Sequence, residues 1–229
     1  IPYLVPVTWS NDWPVLGNNG KVPSSLQLAA SQEKGYGIVT SDEFESGKLP
    51  LEWQWNHNPV NDYWVFENGA LRLTNGRVDA DLVSTQNTLT QRSFGPACSG
   101  WTKMSTEGMK DGDYAGLCAL QDLYGYVGVK MSNGSKSIVM VNAGGGSPKE
   151  VEAVPLSQDN VWFRIDMNFN NQTDKATFYY SLDGATWKAI GNTLSMKYEL
   201  THFVGYRYGL FNFGTKSAGG YVDFDFFTI

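Results

Sequence analysis

Val161-Trp162-Phe163-Arg164-Ile165-Asp166-Met167-Asn168-Phe169 places an apolar residue at every odd position and a mostly polar one at every even position. Successive side chains of a β-strand point to opposite faces, so this reads as a strand with one face in a core and the other toward solvent or a ligand. Tyr221-Val222-Asp223-Phe224-Asp225-Phe226 alternates in the same way. Further strand candidates are 51–56, 63–66, 70–74, 88–92, 114–120, 124–130, 137–142, 176–181 and 206–213. Asn68-Gly69, Asn75-Gly76, Asp111-Gly112, Asn133-Gly134 and Asp183-Gly184 punctuate these runs, and Asn, Asp and Gly tolerate the positive φ of tight hairpins. Many short strands with such turns, and no sustained helical periodicity, predict an all-β fold of two antiparallel sheets packed face to face.

The N-terminal part reads differently. Residues 1–9 are apolar with two prolines, and 21–40 are rich in Ser, Gln and Gly. The expectation is a linker with its own short strand over 1–40 and a globular body over 41–229. The chain begins at Ile1, which suggests a piece of something longer. Its 17 basic and 23 acidic residues leave a net charge of -6, which argues against nucleic acid or an anionic membrane, since both need clustered Lys and Arg. No apolar run approaches the roughly 18 residues of a membrane span. Cys98 and Cys118 lack metal-type spacing. They read as small buried thiols, with a disulfide between neighbouring strands as the alternative.

Chemistry is sparse. Only His57 and His202 can serve a nucleophilic triad, and no Gly-x-Ser-x-Gly elbow is present. Asp223 and Asp225 share a strand face about 7 Å apart, and glycoside hydrolysis uses two carboxyls at roughly 5–10 Å. They can equally be a solvated face. A third reading has one of Asp223 or Asp225, with Asp42 or Glu43, holding a structural Ca²⁺ that pins the first strand to the last. Sugar recognition is a further possibility, because neutral sugars stack on aromatic rings and take hydrogen bonds from amides and arginines. Around Trp53 and Trp55 the opposite strand face carries Glu52, Gln54 and Asn56. Thr88, Thr90 and Arg92 share a face, as do Arg207, Phe211 and Phe213. Tyr124, Tyr126, Tyr206 and Tyr208 are candidate stacking rings. Such a polar face is either a carbohydrate groove or an ordinary wetted sheet.

Several of these segments, in this order, resemble a known family. Leu51-Glu52-Trp53-Gln54-Trp55-Asn56-His57-Asn58-Pro59 resembles the opening strand of the C-terminal domain of family 43 glycoside hydrolases, the β-xylosidase and arabinofuranosidase group. Asn87-Thr88-Leu89-Thr90-Gln91-Arg92 with Phe94-Gly95-Pro96, then Asp111-Gly112-Asp113-Tyr114-Ala115-Gly116-Leu117, and the closing Val222-Asp223-Phe224-Asp225 are similar to its later motifs. The resemblance implies a concanavalin A-like β-sandwich, a jelly roll. It also implies that residues 1–9, 13–15 and 20–23 are the end of an upstream propeller and its exit linker. The catalytic acids would then lie upstream, leaving this chain without activity of its own and without an organic cofactor. Related appended domains form carbohydrate-binding module family 91, a xylan-binding class.

The expectation is therefore a non-catalytic module that binds xylan or xylo-oligosaccharides. Gln54, Asn56, Arg92 and Arg207 would contact hydroxyls, and Tyr126 and Tyr208 would stack. The alternative is a structural partner that docks on the propeller and completes its active site. By the same resemblance a loop aromatic, Phe203 with His202 beside it, would lean into that active site. A secreted, extracellular bacterial enzyme is the favoured setting, with a cytoplasmic one as the alternative.

Overall fold

A computed structural model of the chain describes residues 4–27, 37–198 and 204–229. The chain divides into two compact units, Ile1–Gly37 and Ile38–Ile229. In the first, β1 (Val7–Ser10) and β2 (Trp13–Leu16) form an antiparallel hairpin. Asn11 and Asp12 between them have φ of 50° and 62°, the left-handed geometry a two-residue hairpin turn requires. Pro14 lies inside β2, and the two-stranded sheet offers no further neighbour to miss its N–H.

The second unit contains β3 (Gln54–Trp55), β4 (Trp64–Glu67), β5 (Ala70–Thr74), β6 (Leu89–Arg92), β7 (Ala97–Ser105), β8 (Asp113–Leu120), β9 (Gly125–Ser132) and β10 (Ser135–Asn142). It continues with β11 (Lys149–Leu156), β12 (Asn160–Asn168), β13 (Lys175–Ser181), β14 (Lys188–Ala189), β15 (Leu194–Ser195), β16 (Arg207–Gly214) and β17 (Tyr221–Thr228). A seven-stranded sheet runs β11-β10-β9-β8-β16-β6-β3. An eight-stranded sheet runs β14-β13-β12-β7-β17-β5-β4, with β15 also paired to β13. Every pairing between these strands is antiparallel. The two-sheet sandwich expected from alternation is the observed architecture.

Alternation fills the interior. The odd residues of β12 (Val161, Phe163, Ile165 and Met167) meet Phe178, Met104, Val127, Tyr208 and Leu210 in one continuous core. Apolar burial is favourable by roughly 25 cal/mol per Å², and residues as large as Phe163, Phe178 and Tyr208 are fully enclosed here. Gly100 on β7 makes room for Tyr208, because a Cβ at that position would stand 2.8 Å from the tyrosine ring. The alternation read in 221–226 fails at its end. A bulge between Phe224 and Phe226 leaves Asp225 without a ladder partner. The face pattern is reset there, so Phe227 is buried and Phe226 turns outward against Trp101.

Cys98 lies in the inter-sheet core, whereas Cys118 faces outward from β8 in a separate cluster. Both are free thiols, and the disulfide alternative does not hold. Burial pushes the Cys118 thiol well above its usual range.

Candidate functional site

The outer face of the seven-stranded sheet gathers most of the residues singled out in the sequence. Its register sets Gln54 beside Thr90, Thr90 beside Gly209, Gly209 beside Cys118, Cys118 beside Tyr126, and Tyr126 beside Val141. Two residues further along, Arg92 pairs with Arg207, and Arg207 with Leu120. The middle of this face is not open. The segment ahead of β6 lays Leu82 over it, and Leu82, Tyr124, Tyr126, Val139, Val141, Phe211 and Phe213 form a second buried cluster. Thr88 and Thr90 are buried, and their hydroxyls donate to main-chain oxygens of Thr85 at 3.4 Å and Gln54 at 2.8 Å. Neither description offered for this face, groove or wetted sheet, fits its centre, which is a small core.

Two ends remain accessible. At one, Gln54 and Arg92 are exposed and Arg207 is half-buried. Arg207 Nε and Nη2 are closed off from solvent and meet no hydrogen-bond acceptor among the described residues. Burial, and then the Arg92 charge, pull the Arg207 pKa below the ordinary arginine value. At the other end lies a cleft of about 200 Å³ lined by Asp81, Tyr114, Tyr124, Tyr126, Glu150 and Phe213, among others. Tyr114 stacks on Phe213 with ring centroids 5.2 Å apart and planes 8° apart. Lys130, 3.0 Å from Glu150, sits 5.9 Å from the Tyr114 ring centre. The Tyr124 phenol is pushed up to about 12 by burial and then by Asp81. Arg207 and Phe213 are six residues apart on β16, so the two ends are about 20 Å apart.

The candidate residues thus separate. Arg92 and Arg207 come together with Gln54 two residues along the ladder, whereas Asn56 lies level with Thr88, toward the capped centre. Tyr126 is only 4% exposed and forms the base of the cleft, with Phe211 edge-on at 4.9 Å, so it offers no free ring face. Tyr208 is a correction. It lies on the opposite side of β16 from Arg207, fully buried, and its hydroxyl donates to Cys98 Sγ and Ile165 O, both at 3.3 Å. Side-chain period two already forbids Arg207 and Tyr208 from sharing a face. Tyr114 and Phe213 are the aromatic pair that recognition reasoning missed as a unit, although each sits on the same parity as the polar residues. His202 and Phe203 lie outside the described residues.

Of the acidic residues read for calcium, Asp42, Asp223 and Asp225 have other partners, and Glu43 is exposed. Asp223 accepts from Arg72 Nε at 2.7 Å and Nη2 at 2.8 Å, and Asp225 pairs with Lys103 at 3.0 Å. Asp42 accepts Trp53 Nε1 and the Phe44 amide, both at 2.9 Å. Among the described residues no three His, Cys, Asp or Glu side chains are grouped as a metal site. The pinning foreseen for a cation is made directly, since the amides and carbonyls of Asp42 and Phe227 exchange two 2.8 Å hydrogen bonds. Their ion pairs also make Asp223 and Asp225 poor candidates for a catalytic acid pair. His57 is exposed, with Nε2 2.8 Å from Val83 O, which fits a structural role.

With the sandwich and its faces in view, comparison with known proteins is decisive for the family. The family described as the β-xylosidase C-terminal concanavalin A-like domain matches residues 41–229. The chain belongs to this family. A β-xylosidase of Formosa agariphila is 28% identical over 255 aligned positions, covering 98% of this chain and 42% of that protein. A solved structure described as a bifunctional GH43-CE protein of Bacteroides eggerthii superposes with a TM-score of 0.92 at 53% identity. It covers 99% of this chain and 30% of its own. A family 43 glycoside hydrolase engineered for both endo-xylanase and exo-arabinofuranosidase activity superposes with a TM-score of 0.85 at 32% identity. There the match covers 98% of this chain and 48% of the other. The chain therefore corresponds to the C-terminal part of family 43 glycoside hydrolases and spans less than half of each of these proteins.

Proposed function

We propose that this domain is a non-catalytic carbohydrate-holding module of a family 43 glycoside hydrolase, and that its ligand is xylan or a xylo-oligosaccharide. The observation that carries the reading is the outer face of the seven-stranded sheet. It presents two separate polar patches on either side of the capped centre, an amide and guanidinium end and an aromatic-lined cleft about 20 Å away along one strand, each suited to one or two sugar rings. The β-xylosidase naming of the relatives favours a xylose-based chain. Tyr114 and the carboxylates of Asp81 and Glu150 line the cleft, and a sugar ring would sit against them there. Few stacked rings and solvent-exposed polar contacts imply weak binding, about 10⁻⁵ to 10⁻³ M. Calorimetry with xylohexaose and affinity electrophoresis in soluble xylan test this directly. Retardation by xylan that weakens about tenfold in Tyr114→Ala is the expected result, while no heat at millimolar xylohexaose rejects the reading. Turnover of an aryl xyloside by the pure chain would show that the domain is catalytic.

A second reading has its own observation. The hairpin β1–β2 exposes Trp9 at 71% and Trp13 at 74%, an apolar pair that water does not favour. These side chains suit an upstream catalytic domain, on which this module would act as a structural partner that completes the active site. Under that reading the isolated domain ignores xylan, yet its deletion from the parent enzyme changes KM or abolishes soluble expression.

A further inference from the structure

The chain has five arginines: Arg72, Arg77, Arg92, Arg164 and Arg207. Three hold a carboxylate: Arg72 pairs with Glu67 and Asp223, Arg77 with Asp79, and Arg164 with Asp166. Arg92 and Arg207 hold none among the described residues, and they are direct partners across β6 and β16. Like charges at such positions stand about 5 Å apart at Cβ and repel. The cost is raised by burial, because Arg207 Nε and Nη2 are removed from water with no acceptor in reach. A fold that pairs its other arginines has left its most costly one unpaired beside another cation. We infer that Arg92 and Arg207 form a receptor for a carboxylate carried by the polysaccharide, a hexuronate branch, so that the module selects acidic over neutral xylan. This rests on the sugar-binding reading above. A carboxylate can pair with the exposed Arg92 guanidinium and with the accessible edge of Arg207, neutralising both like charges at once, which no neutral sugar hydroxyl can do. Gln54, beside Thr90 and two residues along the ladder from Arg92, is placed for a neutral ring next to the branch.

The test is calorimetric titration of the chain at low salt with three ligands. They are neutral xylohexaose, a xylo-oligosaccharide of the same length bearing one glucuronate branch, and the methyl ester of that branched sugar. The acid is expected to bind about tenfold tighter than the other two. That advantage should shrink as salt is added and vanish in Arg207→Met and in Arg92→Ala. Arg207→Met is also expected to keep or raise the melting temperature, since it removes a desolvated charge without breaking a pair. Equal affinity for acid, ester and neutral sugar overturns the inference and leaves the sugar-binding reading standing. If Arg207→Met in that case impairs the parent enzyme, the pair belongs to a carboxylate of the upstream domain. Silence from all three ligands ends both readings. A drop of several degrees in Arg207→Met also overturns the inference, because it would mean that the guanidinium already has a structural partner.

Discussion

The two sheets of the sandwich turn opposite characters outward. On the eight-stranded sheet the charges are matched: Arg72 with Glu67 and Asp223, Lys103 with Asp225, and Arg164 with Asp166. Aromatic rings complete the arrangement. Arg164 lies 4.4 Å from the Tyr179 ring centre and 5.1 Å from that of Trp187, and Arg72 lies 4.0 Å from that of Tyr221. Arg164 Nε lacks an acceptor, yet its charge is answered by Asp166 and by two ring faces. The seven-stranded sheet carries a capped apolar centre, a tyrosine-lined cleft and two unanswered arginines. A surface that satisfies itself needs nothing further, whereas one that leaves polar groups unsatisfied is built for something it does not contain. The comparison directs the search for a ligand to the seven-stranded sheet, even though the other sheet shows more tryptophan.

The largest test concerns the cap on that face. Leu82 is fully buried against Tyr124, Tyr126, Phe211 and Phe213, in a cluster separate from the main core. Leu82→Ala should cost about 3 kcal/mol and lower the denaturation midpoint with little change in its slope. A cost below about 1 kcal/mol would mean that the segment lifts readily, and the face would then have to be regarded as open along its whole length.

A smaller loss is expected on the matched face. Arg72→Ala removes both hydrogen bonds to Asp223, the ion pair with Glu67 and the contact with Tyr221. These groups are partly solvated, so the expected cost is about 1–2 kcal/mol. Arg207→Met, on the other sheet, should cost nothing. If both substitutions destabilise equally in urea titrations, the distinction between a satisfied and an unsatisfied face is wrong.

How much of this was legible in the sequence depended on where each strand sits. β12 and β17 lie inside a sheet with one apolar face, and their alternation is plain. β7 escaped, although it lies between them, because Gly100 yields its volume to Tyr208 and Trp101 points outward. β11 escaped because it is an edge strand carrying Lys149, Glu150, Glu152 and Pro155, the residues that keep an edge from pairing further. The run 51–56 overstated β3, where only Gln54 and Trp55 pair and Leu51 is 96% exposed. The polar end of the face was legible from shared parity in 88–92 and 207–213. Its buried centre was not, since nothing in Thr88 or Thr90 says that their hydroxyls are spent on main-chain oxygens. The lack of a carboxylate opposite Arg207 depends on the register between β6 and β16, which no single segment encodes.

The finest expected effect separates the sheets by pH. Asp183, in the turn after β13, is held well below the usual carboxylate range by the amides of Thr186 and Ala185 and by the Ser181 hydroxyl. A depressed pKa in the folded state means that its contribution is present above the unfolded pKa of about 4 and is lost as pH falls below it. Asp113, at the start of β8 in the other sheet, moves the opposite way. Burial raises its pKa, despite hydrogen bonds from the Lys110 amide at 2.6 Å and Asn75 Nδ2 at 2.7 Å. Its protonated form is favoured in the folded chain, so the contribution is complete below the unfolded pKa and declines as pH rises through the folded one. Melting curves from pH 3 to 7 should therefore show the gap between wild type and Asp183→Ala closing on acidification. Over the same range, wild type should gain relative to Asp113→Asn. Parallel curves for both variants would mean that neither carboxylate differs between folded and unfolded chain. Thermal scans in EDTA and in added Ca²⁺ at neutral pH should coincide, because Asp223, Asp225 and Asp42 already hold Arg72, Lys103, Trp53 and the Phe44 amide.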